Sequence, residues 1–159
     1  MKRTSYSCLV FGEGGKDKKF LIALIDLDKF KHHTKKWTFN YDNASGSSPE
    51  TILNKCWKAI SGTNYDLILC FIDLDKLKTD YPEKWKENKK RLENKYSNIT
   101  IMWQIDNMAD EFRKVLRDHC RGKNKLNRAA RKKVKEFINS DFWKRILKPI
   151  KDKEQELEV

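Results

Sequence analysis

The stretch LILCFIDLDKLK, residues 67–78, decides the fold. Leu67 to Ile72 is an unbroken apolar run bounded by charged residues. A buried helix can carry such a run, but its length favours a central parallel strand covered on both faces. Asp73 and Asp75 then fall at the carboxyl end of that strand. Side chains two apart on a strand leave on the same side, so this pair is expected to share one cation. A near-copy, FLIALIDLDKFK, stands at residues 20–31. Its context differs: it follows a glycine turn, and Phe20, Leu21, Leu24, Ile25 and Leu27 recur at helical spacing. On a helix Asp26 and Asp28 diverge by about 200° around the axis. The two phrases therefore read as one working carboxylate pair and one look-alike, not as an internal repeat.

The segments around this strand give the rest of the order. SYSCLVFGEGG, residues 5–15, reads as a strand that stops at glycine. Gly12, Gly14 and Gly15 flank Glu13 and permit a sharp strand-to-helix turn. Asp17 stands in the first turn of the following helix, where a negative charge suits the helix dipole. KWTFNYD, residues 36–42, alternates, with Trp37, Phe39 and Tyr41 on one side, as a half-buried strand near a sheet edge does. Ser47 or Ser48 can cap the next helix, with Pro49 in its first turn and Ile52, Leu53, Cys56 and Ile60 as its apolar face. SGTN, residues 61–64, ends it. Residues 81–97 form a polar helix with a thin stripe of Trp85, Leu92 and Tyr96. NITIMWQ, residues 98–104, is a further strand, and helix returns from about residue 107 to 119. Strands alternating with helices imply an α/β fold, with a mostly parallel central sheet flanked by helices. Ligands of such sheets bind outside the carboxyl ends of the strands.

The chain of 159 residues is long enough for a normal core. It carries 35 Lys and Arg against 23 Asp and Glu, a net charge of +12. That excess points to a polyanionic partner, most often nucleic acid. Cys8, Cys56, Cys70 and Cys120 form no C-x-x-C pair, and His119 beside Cys120 does not share its face. The cysteines are expected to be reduced and buried. His32 and His33, as neighbours, read as a solvated loop. Met-Lys-Arg-Thr-Ser is followed by only a short apolar stretch, and no run approaches the ~20 apolar residues of a membrane helix. The expectation is a cytoplasmic protein with no membrane contact. Trp37, Trp57 and Trp103 read as core, with Trp85 or Trp143 left as the sites where an exposed ring would stack on a base.

If the first and third strands are parallel and close, Glu13 meets Asp73 and Asp75 at one rim of the sheet. Three carboxylates there repel one another, and a hard divalent cation offsets this. Acids at strand ends can also simply stay in water; the Glu-Gly turn together with the D-x-D favours the metal. This combination resembles the Toprim domain of topoisomerases, bacterial primases and several nucleases. The signature residues are Glu13-Gly14 and Asp73-Leu74-Asp75, 60 residues apart. LVFGEGGKDKKFL is similar to the nuclease branch, in which an acid four residues after the Glu begins a helix; Asp17 holds that position. NITIMWQIDNMADEF resembles, more loosely, the segment after the D-x-D in RloB-like and OLD-type (overcoming-lysogenisation-defect) proteins. That pattern usually has a Glu before the Trp, where this chain has Ile101 and Met102 before Trp103. The resemblance covers about residues 5–118 and implies a Rossmann-like Toprim fold with Mg²⁺- or Mn²⁺-dependent phosphoryl-transfer chemistry. It implies Glu13, Asp73 and Asp75 as catalytic and metal-holding residues, with Asp17 as a candidate for a second metal. Lys16, Lys18 and Lys19 near the glycine turn can steady phosphates. GEGGK is not a Walker A loop, because its spacing and the residue after the Lys are wrong.

Two domains are expected: a Toprim-like catalytic domain over 1–118, and a basic helical extension with an acidic tail over 119–159. From Arg113 to Lys135 the chain has eleven Lys and Arg and one acid. Leu126, Ala130, Val134, Phe137 and Ile138 give this stretch an apolar helical face. Its cationic face, with Arg121, Lys123, Lys125, Arg128, Arg131 and Lys132, is a candidate clamp for a nucleic-acid backbone. A last short helix is expected to begin at NSDFWKRILKPI, capped by Ser140 or Asp141, and the acidic end DKEQELEV is expected to fray. The first functional reading is a nuclease acting on RNA or DNA, in ribosomal-RNA maturation, tRNA targeting or phage defence. The alternative is a non-catalytic nucleic-acid-binding module working with a separate ATPase subunit, since the chain has no Walker motif. A third is nucleotidyl transfer of the primase kind, although no zinc-binding domain is visible.

Overall fold

The computed structural model describes residues 5–12, 22, 36–44, 48–104 and 141–158. Four strands form one sheet: β1 (Tyr6–Gly12), β2 (Trp37–Asn43), β3 (Leu67–Asp73) and β4 (Thr100–Gln104). All pairings are parallel, in the order β2-β1-β3-β4. β3 lies inside the sheet and is buried along its whole length, as its apolar run predicts. β2 is at an edge and alternates in burial. From β1 the chain passes to β2 on one side, then returns across β1 to β3. The direction of winding therefore reverses between β1 and β3.

On one face of the sheet, Leu9 and Phe11 of β1 and Ile68, Cys70 and Ile72 of β3 belong to a single apolar cluster. Three helices close it: α1 (Pro49–Ala59), α2 (Leu74–Asp80) and α3 (Trp85–Lys95). They contribute Ile52, Leu53 and Cys56, then Leu74 and Leu77, then Leu92, with Tyr96 and Ile99 beyond the last. α1 begins where the sequence indicates. Ser48 is its N-cap, Ser48 Oγ accepts from the Thr51 amide at 3.4 Å, and Pro49 opens the first turn. The chain leaves α1 through Gly62 at φ 82°, a backbone conformation that suits glycine. Cys8, Cys56 and Cys70 are free and buried.

The opposite face carries Tyr6, Cys8 and Val10, in register with Trp37, Phe39 and Tyr41. The rings of Tyr6, Trp37, Phe39 and Tyr41 follow one another, with centroids 5.3, 6.4 and 6.5 Å apart. α4 (Asp141–Glu158) serves this side. Trp143, Ile146, Leu147 and Ile150 form a buried stripe at helical spacing. Trp143 is thereby unavailable as an exposed stacking platform. The acidic end does not fray: the helix runs to Glu158. Glu154 and Glu158 follow Ile150 at steps of four and so extend the same stripe. Trp37 Nε1 donates to Glu154 at 3.4 Å, Tyr6 Oη donates to Glu158 at 3.3 Å, and Lys36 pairs with Glu158. The acids thus bind the starts of β1 and β2. No helix among the described residues is long and apolar enough to cross a membrane.

Two further tryptophans depart from expectation. Trp57 is 49% exposed, because it stands at the margin of the α1 stripe rather than on it. Trp103 is only partly buried, and packs against the first cluster. Trp85 is half-buried, with Lys78 Nζ at 4.8 Å and Lys86 Nζ at 5.6 Å from its ring centroid.

Candidate metal centre

Gly12 ends β1 and Asp73 ends β3, so the two strands that flank the reversal of winding finish at one rim. In open parallel sheets the crevice outside such a switch point is where ligands bind. The adjacency of β1 and β3 that a Glu13–Asp73 site requires is present. At the end of β1 the Gly12 carbonyl accepts from the Ala44 amide at 3.0 Å. Glu13, which follows Gly12 directly, lies outside the described residues, as do Lys16 and Asp17. The same holds for Asp26 and Asp28, for Arg121, Lys123, Lys125, Arg128, Arg131 and Lys132, and for the 118/119 boundary.

Asp73 is 8% exposed, the one buried acid among the described residues. It is both the last residue of β3 and the residue before α2, with φ −73° and ψ 124°, and its carboxylate does not cap that helix. Asp75 is not on the strand. It stands in the first turn of α2, so the two-residue alternation that would place both carboxylates on one strand face does not apply. The cause is local. Leu74 and Leu77 are both buried in the first cluster, and a helix starting at once after Asp73 puts this i, i+3 pair on one face. Asp75 remains two residues from Asp73 at the same strand–helix junction. It is half-buried, in a first-turn position that favours an acid. With Ser48, Lys76, Thr79 and Asp80 it lines a cavity of about 330 Å³.

A further polar group at this rim belongs to no sequence motif. Gln104 closes β4 in register with Asp73 and is 4% exposed. Its Nε2 donates to the Met102 carbonyl at 3.1 Å, while its Oε1 is buried with no hydrogen-bond partner among the described residues. A buried acceptor left without a donor costs about 1–3 kcal/mol. Its only sequence signal is its place as the last residue of a strand ending at the same rim. Hard divalent cations take carboxylate and amide oxygens together. Among the described residues no three His, Cys, Asp or Glu side chains stand together as a ligand group; the buried carboxylate and the amide oxygen supply two oxygen donors of the kind Mg²⁺ or Mn²⁺ takes. Burial pushes the Cys8 thiol above its ordinary pKa, which keeps it protonated.

Away from this rim, Glu50 in the first turn of α1 accepts from Arg91 through both carboxylate oxygens, at 3.2 and 3.3 Å, and from Lys95 at 3.1 Å. These bonds, that from Arg91 foremost, hold its carboxyl below the usual range. The cluster joins α1 to α3 and carries no signature of chemistry.

The fold and rim define an α/β protein with a parallel four-stranded sheet and an acidic carboxyl edge at its switch point. Set beside known families and characterised proteins, the chain matches no family model and no curated protein.

Proposed function

We propose that this protein is a divalent-metal-dependent nuclease of the Toprim type, cleaving phosphodiester bonds of RNA or DNA. The observation that carries the reading is the buried carboxylate of Asp73, closing an interior parallel strand where the strand order reverses. The neighbouring strand β1 ends at Gly12, immediately before Glu13. Asp73, Asp75 and Glu13 are the residues that would hold Mg²⁺ or Mn²⁺, with Asp17 as a further ligand for a second ion. The ion, when bound, supplies charge neutralisation at the scissile phosphate and a more acidic water. Glu13 is assigned either ligation of the ion or the proton transfer, as general base or general acid. The net charge of +12 supports a polyanionic substrate. Lys16 is assigned to a phosphate near the turn. Arg121, Lys123, Lys125, Arg128, Arg131 and Lys132 are assigned to the nucleic-acid backbone.

The test is incubation of the full chain with a panel of labelled RNAs and DNAs in Mg²⁺ or Mn²⁺, with EDTA and Glu13→Gln as controls. Metal-dependent cleavage lost in the variant supports the reading. No cleavage, with salt-sensitive binding retained by both proteins, would instead make the chain a binding module that relies on another subunit, such as an ATPase.

A further inference from the structure

We infer that Gln104 supplies a neutral oxygen ligand to the divalent cation of this rim, its amide oxygen extending the ligand set that Asp73 begins. The inference rests on the metal-site reading above. The first support is position. Asp73 and Gln104 are register partners that end adjacent parallel strands, so their side chains leave the same face at the same edge. Adjacent strands lie about 4.8 Å apart, a separation that two ligands of one ion can bridge.

The second support is the state of the amide. Both side chains are buried, Asp73 at 8% and Gln104 at 4% exposure. The Nε2 of Gln104 is committed to the Met102 carbonyl on its own strand, and this fixes the rotation of the amide group. Its Oε1 is then an oriented, buried acceptor without a hydrogen-bond partner among the described residues. Buried polar atoms are almost always satisfied, and an exception calls for a cause such as an ion or a catalytic role. Packing alone would be served better by leucine or methionine, which bring no polar atom into the interior.

The third support is charge. Asp73 and Asp75 already concentrate negative charge at the end of β3. A third carboxylate would add repulsion in the metal-free protein and narrow the range of ions held. An amide oxygen adds a hard ligand with no charge, within the oxygen set that Mg²⁺ and Mn²⁺ accept.

The test uses the full chain and Mn²⁺ alone, with no nucleic acid. Binding is followed by the loss of the free-ion electron paramagnetic resonance signal, and metal-free stability by thermal melting. Asp73→Asn, Gln104→Met and Gln104→Glu are compared with the parent protein. Gln104→Met keeps the side-chain length and removes both the orphaned acceptor and the Nε2 bond to the Met102 carbonyl, so its metal-free melting temperature is expected to stay near that of the parent. Its Mn²⁺ dissociation constant is expected to rise by about tenfold or more, the scale of losing one group that supports a metal. Gln104→Glu is expected to bind at least as tightly as the parent, with a steeper pH dependence. A smaller loss in Gln104→Met, while Asp73→Asn abolishes binding, overturns the role of Gln104 and leaves the metal site standing. No Mn²⁺ binding by the parent overturns both. If Gln104→Met fails to fold, Gln104→Glu decides, and weaker binding than the parent overturns the assignment.

Discussion

Replacing Ile150 with alanine tests whether α4 belongs to the core. Ile150 is fully buried, in a stripe with Trp143, Ile146 and Leu147. Truncating a buried isoleucine to alanine costs about 2–5 kcal/mol, depending on how far the site collapses. Alanine is the better helix former by a few tenths of a kcal/mol, roughly, which offsets part of that. The net expectation is about 2–4 kcal/mol. In a chain of 159 residues each kcal/mol moves the melting temperature by about 2–4 °C, so the fall should be about 4–16 °C. The control is Lys148→Ala on the same helix. Lys148 has a 76% exposed side chain and an i, i+4 pair with Asp152 at 2.9 Å, worth about 0.5 kcal/mol or less. Thermal melting followed by circular dichroism, with urea titration as a check, measures both. A shift for Ile150→Ala no larger than that of Lys148→Ala would refute the packing of α4 onto the rest of the fold.

Other substitutions report on separate parts of the account. Glu50→Gln should cost less than about 1 kcal/mol at pH 7, because the Arg91 and Lys95 pairs are partly exposed. The folded carboxyl titrates below its unfolded value. Its stabilisation is therefore present above the unfolded pKa and lost as pH falls through the folded one, and urea midpoints of parent and variant should converge in acid. Gly62→Ala should cost about 1–2 kcal/mol by urea titration, through backbone strain alone, since φ is 82° and a Cβ there meets nothing within 4 Å. Trp37→Ala should cost about 3–5 kcal/mol, and Trp57→Ala clearly less in the same melting assay, because Trp37 is 2% exposed and Trp57 49%.

Much of the sheet is legible in the sequence because its signals are local. The unbroken run of Leu67 to Ile72 is possible in a soluble protein only where both faces are covered. The alternation of Trp37, Phe39 and Tyr41 marks a strand with one wet face. Ser48-Pro49 marks a helix start. The misreadings occur where the deciding partner is distant or the local pattern is ambiguous. Ile-Asp-Leu-Asp alternates as well as any strand, yet Leu74 and Leu77 also satisfy helical spacing, and burial of both selects the helix that carries Asp75 off the strand. DKEQELEV looks solvated because Lys36, Trp37 and Tyr6 stand more than a hundred residues away. Trp57 lies at helical spacing from Leu53 and Ile60, and spacing alone does not separate the centre of a stripe from its margin. Gln104 carries no charge and belongs to no recognised pattern, so only the register of β3 with β4 brings it beside Asp73.

The measurement that bears most directly on the central claim is the Mn²⁺- or Mg²⁺-dependent cleavage rate of parent protein and Asp73→Asn on the same labelled RNA and DNA panel. The expected result is cleavage by the parent that EDTA abolishes and that Asp73→Asn lacks, with the variant still folded by circular dichroism. Cleavage at parental rate by Asp73→Asn, or none by the parent on any substrate with either metal, would contradict it.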